Sequence, residues 1–141
     1  MNQECCASNR PVMMLTCSGA SNVGQLSNHA AVELTRDGFG KMFCLAGIGG
    51  HLDGFVQSAK DVPQMVAIDG CDTGCAKATL EHAEVPLKNY IVLTELGIEK
   101  THDFDLKREE LERVKEAVKG VCFENSPLIP VVDQDSVNCC T

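Results

Sequence analysis

The chain has 141 residues, 44% of them hydrophobic, a size and composition that fit one domain around one core. The formal net charge is −8, and Lys and Arg are scattered among Asp and Glu, which argues against a nucleic-acid partner because neutralising phosphates needs clustered cations. No run approaches the roughly 20 apolar residues of a membrane helix, and the N-terminus lacks the basic and long apolar parts of a signal peptide, so the chain reads as cytoplasmic with no membrane partner.

Residues 1–10 read as a flexible leader carrying Cys5 and Cys6. The short apolar run from Val12 to Cys17 predicts a buried strand. Ser21 is placed to cap a helix over about 22–36, with Val23, Leu26, Ala30 and Leu34 on one face and Asp37-Gly38 as the stop. Lys41 to Ala46 predicts a second strand, ended by Gly47, Gly49 and Gly50. A helix over about 52–60 follows, then a strand from Met65 to Ile68 and a helix over about 76–83. Tyr90 to Leu93 predicts a fourth strand. The last helix has Asp105 as its expected N-cap, Leu111, Val114 and Val118 on one face, and Gly120 as its expected stop. Leu128 to Val132 is expected as an edge segment or an arm, and residues 133–141 as a flexible tail.

Strand and helix alternate four times. That predicts a single α/β domain over residues 11–132, Rossmann-like and three-layered, with a mostly parallel sheet of four or more strands and helices on both faces. Aromatic residues are few: five Phe, one Tyr and no Trp, so the core is aliphatic, as suits helices packed on such a sheet.

Nine cysteines are the chain's most informative feature. In a reducing compartment they favour metal binding or thiol chemistry over a disulfide framework. Cys17 ends the first strand, Cys44 the second, and Cys71 and Cys75 follow the third. In an open parallel sheet the carboxyl ends of the strands share one edge, where ligands bind. The four thiols therefore converge into a candidate site for zinc, with an iron–sulfur cluster as the alternative. The Cys-x3-Cys spacing of Cys71 and Cys75 sets both sulfurs at one helix start, and Asp69 and Asp72 are expected either to hydrogen-bond the ligands or to cap that helix. A buried thiol that simply packs is the plain alternative, strongest for Cys44 between Phe43 and Leu45, and Cys122 is assigned to the core.

The loop with Ser18, Gly19, Ser21 and Asn22 has the small residues of an anion-binding helix start, or of an ordinary capped turn. It is neither a Walker A loop nor a dinucleotide fingerprint. His102, and after it His51, are the candidates for catalytic proton transfer or for extra ligation; His29 and His82 read as structural or exposed.

Cys17-Ser18-Gly19-Ala20-Ser21-Asn22-Val23-Gly24, the segment from Cys44 to Gly50, and above all Asp69-Gly70-Cys71-Asp72-Thr73-Gly74-Cys75-Ala76 resemble the DGC-domain family, over about residues 11–120. The resemblance implies zinc bound through four cysteines, carried onto Cys17, Cys44, Cys71 and Cys75, and it implies no particular reaction. The cleft therefore stands as a metal site or as a thiol- or zinc-dependent enzyme site for redox, sulfur-transfer or hydrolytic chemistry, with homo-oligomerisation left open.

Overall fold

The computed structural model describes residues 11–124. Four strands, β1 (Val12–Thr16), β2 (Gly40–Met42), β3 (Met65–Asp69) and β4 (Tyr90–Val92), form one sheet in the order β2-β1-β3-β4. Every pairing is parallel: Met14 faces Met42 on one side and Val66 on the other, and Ile68 faces Ile91. The helices are α1 (Asn22–Arg36), α2 (Leu45–Gly49), α3 (Asp53–Asp61), α4 (Cys75–His82) and α5 (Arg108–Glu124), and a 3-10 turn spans Leu93–Leu96.

The strand period of two divides the core. Val12 and Met14 of β1 and Val66 and Ile68 of β3 pack against Leu26, Ala30 and Leu34 of α1 and Leu111, Val114 and Val118 of α5. Leu15, Met65 and Ala67 face the other way, toward Ile48 of α2, Ala59 of α3 and Leu80 of α4. All five residues of β3 are buried, as expected for a central strand covered on both faces. The expected three-layer α/β architecture is thus the one observed. Among the described residues no helix is long and apolar enough to cross a membrane.

Ser21 caps α1 as expected, its hydroxyl accepting the Gly24 N–H at 3.2 Å. Three local expectations are corrected. The second strand stops at Met42, and Phe43 donates one more sheet bond to Met14 before Cys44 turns the chain into α2. A short apolar run has no periodicity with which to tell strand from buried helix. Arg108, not the residue after Asp105, begins α5, and Asp105 lies in the preceding turn with its N–H on the Asp103 carboxylate at 3.0 Å. Gly120 does not stop α5; the helix continues, burying Cys122 in the core, where burial pushes its thiol up to about 11. Packing of that last turn outweighs the ~1 kcal/mol that a helical glycine costs. The segment 128–132, the leader with Cys5 and Cys6, and the tail with Cys139 and Cys140 lie outside the described residues.

Candidate functional site

The carboxyl edge of the sheet is built on close backbone contact. β1 ends and runs into the loop 17–21; beside it, the loop after β3 crosses the first turn of α1. A Cβ on Gly70 would stand 2.7 Å from the Gly24 nitrogen, and one on Gly24 would stand 2.6 Å from the Gly19 oxygen. Glycine at 24 and 70 lets these segments touch, which brings Cys17 up to the Asp69–Cys75 loop.

Asp69 fixes the other side. It is 1% exposed, and its carboxylate accepts the Ala76 N–H at 2.8 Å, the Lys77 N–H at 3.1 Å and the Tyr90 hydroxyl at 2.8 Å. Gly74, at the N-cap with φ of +67°, has no side chain to offer, so Asp69 caps α4 from the end of β3. Of the two roles expected for Asp69, the cap is the one observed. Burial, and then the Asp69 hydrogen bond, raise the Tyr90 phenol well above its usual range.

A cavity of about 260 Å³ opens at this edge, lined by Cys17, Cys71, Cys75, Asp69, Lys100 and His102 among others. Cys17 Sγ accepts the Gly70 N–H at 3.3 Å and lies 3.4 Å from the Ser27 hydroxyl. That hydroxyl donates to the Gly24 carbonyl at 2.7 Å, so the Cys17 thiol is the donor to Ser27. Cys71 Sγ lies 3.4 Å from the Thr73 hydroxyl and accepts from Lys100 Nζ at 3.4 Å. Hydrogen bonds from the Thr73 side chain and backbone, joined by the Lys100 ammonium, hold the Cys71 thiol below its ordinary value. The thiol donates to Thr73; once the proton is lost, the threonine hydroxyl turns and donates to the sulfur. Cys75, the first residue of α4, is exposed on the same wall.

Cys44 is not on that wall. It lines the adjoining groove of about 430 Å³ with Cys17, Ser18, Phe43 and Thr79, and its Sγ accepts the Gly47 N–H at 3.4 Å as the cap of α2. Cys17 borders both spaces and joins them. Among the described residues no group of three or more His, Cys, Asp or Glu side chains is gathered at metal-holding distance.

The remaining candidates separate. Gly19 and Ser21 line the cysteine cavity, whereas Ser18 faces the adjoining groove. Asn22 is committed elsewhere: its amide donates to the Glu99 carbonyl at 2.8 Å and accepts the Thr101 N–H at 2.6 Å, while its own N–H donates to the Thr101 carbonyl at 3.0 Å. This clamp hangs the loop bearing Lys100 and His102 over the cavity. His51 stands away from the cysteines, with Nε2 2.9 Å from Nδ1 of His82. Sequence reasoning puts Lys100 on this edge and Thr73 between Cys71 and Cys75, but not their contacts with the Cys71 sulfur, which depend on the folded loops.

Taken together, the fold and cleft define an α/β protein with a cysteine-lined site at the carboxyl edge of a parallel sheet. Residues 13–118 match the DGC domain, and the chain belongs to that family. It is similar to the anaerobic and virulence modulator AnvM of Pseudomonas aeruginosa, 35% identical over 102 residues that cover 72% of this chain and 78% of that protein. No solved structure matches the chain.

Proposed function

We propose that the chain is a zinc-binding protein in which Cys17, Cys71 and Cys75 hold the ion and Cys44 supplies a fourth sulfur from the adjoining groove. One observation carries this reading: three thiols from two separate loops line a single cavity. Thiolates are the ligands a soft, tetrahedral ion takes, and zinc bound to four of them supplies a closed structural or sensing centre. The surroundings suit deprotonated sulfur. The Gly70 N–H donates to Cys17, Lys100 donates to Cys71, the Thr73 hydroxyl can turn to donate to a Cys71 thiolate, and the Lys100 ammonium offsets part of the charge of a four-thiolate set. The sulfurs must close in by side-chain rotation, with Cys44 leaving its cap on Gly47. The word modulator in the relative's name favours sensing over storage as the role.

Elemental analysis tests the proposal, on protein purified without added metal and with Cys5, Cys6, Cys139 and Cys140 changed to Ser. About one zinc per chain is expected, lost in Cys71→Ser/Cys75→Ser. Full zinc in that double variant would sink the reading. Cys44→Ser and His102→Ala decide the fourth ligand, because only loss of the true one lowers affinity.

The lowered Cys71 thiol favours a second reading, a nucleophilic thiol for redox or sulfur-transfer chemistry, with His102 moving protons. Fast alkylation of Cys17, Cys71 and Cys75 in zinc-supplemented protein would support it over a closed metal site.

A further inference from the structure

His51 and His82 are far apart in the chain and away from the cysteine cleft, yet their rings meet nitrogen to nitrogen. Nε2 of His51 lies 2.9 Å from Nδ1 of His82, with the ring planes 79° apart and the centroids 4.9 Å apart. The rings therefore present nitrogen edges to each other rather than stacking faces. The contact is exposed. His82 is the last residue of α4, where the helix dipole favours a cation. His51 has φ of +53°, a left-handed conformation that costs a non-glycine residue roughly 1–2 kcal/mol. The chain sets histidine where glycine would be relaxed, and this aims the ring at α4.

The spacing is within chelating reach of one ion. Two nitrogens bonded to one ion at about 2.05 Å and about 90° apart stand about 2.9 Å from each other, whereas a tetrahedral angle spreads them to about 3.3 Å. The observed 2.9 Å is a ring–ring hydrogen-bond distance, and a small turn of the two exposed rings that brings both lone pairs to one point reaches either spacing. We propose that His51 and His82 form a bidentate surface site for a divalent transition ion that imidazole ligates, such as nickel(II) or copper(II), with water in the remaining positions and independent of the cysteine cleft. Asp53 and Glu84, which line the adjacent surface depression with His51, lend negative charge, and Lys60 on the same depression opposes it. Binding needs both nitrogens as lone-pair donors. The ring that donates the present hydrogen bond must carry its proton on its other nitrogen instead, so that both facing nitrogens offer lone pairs.

Nickel(II) titration of the zinc-supplemented full chain tests this, followed by calorimetry and by paramagnetic broadening of 15N-amide signals. One equivalent is expected, with broadening centred on residues 50–54 and 81–84. Outer partners of a metal ligand are already worth about 10–100-fold in affinity, so losing a ligand outright in His51→Asn or His82→Gln should weaken uptake by about tenfold or more. Asn tolerates the left-handed backbone at position 51, and equal thermal unfolding of the metal-free proteins confirms that each variant folds. Absence of nickel uptake, uptake indifferent to both variants, or broadening centred on Cys71 and Cys75 each overturns the proposal; in the first case the pair is a hydrogen bond and nothing more.

Discussion

Cys71 is a thiol whose ordinary value of 9.0 is lowered most by Thr73 and less by Lys100. The pH midpoint of its alkylation in metal-free protein should therefore lie below 9.0 and move upward in both Thr73→Val and Lys100→Gln, further in the threonine variant. A larger shift on losing Lys100 would mean that charge, not hydrogen bonding, governs the site. Gly70 makes a different kind of statement. A methyl there meets backbone at 2.7 Å on a helix that cannot step aside, so Gly70→Ala should lower stability by about 2–3 kcal/mol. Gly19→Ala, with open space around the added carbon, should leave the unfolding midpoint within about 0.5 kcal/mol of wild type. Urea unfolding of the two side by side separates backbone contact from mere glycine content.

Between elements, the clearest electrostatic device joins α1 to α5. Glu33 accepts from Arg108 at 2.6 Å and from Lys115 at 3.2 Å, and Lys115, only 7% exposed, also pairs with Asp37 at 2.9 Å. Its carboxyl is lowered from 4.5, first by the Arg108 hydrogen bond, against a desolvation that would raise it. A carboxylate lowered in the folded state contributes stability that is fully present above 4.5 and is lost as pH falls through its folded value. Glu33→Gln should accordingly destabilise at neutral pH, and the gap to wild type should close on acidification below 4.5. Urea midpoints across that range provide the measurement; a gap that stays constant with pH would assign the effect to packing. The Asn22 clamp works at the same scale, joining the start of α1 to the loop after β4 by hydrogen bonds rather than by charge.

At the scale of the whole molecule, the alternation of strand and helix was enough to foresee a parallel sheet covered on both faces, at whose carboxyl edge Cys17, Cys71 and Cys75 line one cavity. Sequence order carries that information because right-handed crossovers leave little choice of topology. What stayed hidden depends on contacts between distant segments or on ambiguous local signals. Cys44 looked like the end of a strand because its apolar neighbours fit a helix start equally well. Asn22 looked like part of an anion loop, since its partners lie about eighty residues on, at 99 and 101. The meeting of His51 and His82 needed the actual packing of α2 on α4. Asp69 was read as either a ligand's partner or a cap, and only the orientation of α4 decided between them.

The Asn22 clamp also has a consequence in time. Every thiol of the cleft is encoded by residue 75, but the cation beside Cys71 and the imidazole above it arrive only at 100 and 102. At about 5–20 residues per second, the ribosome releases the cysteines roughly one to five seconds before their basic roof. For that interval the nascent thiols lack both the Lys100 contact and the cover of the loop that Asn22 holds in place.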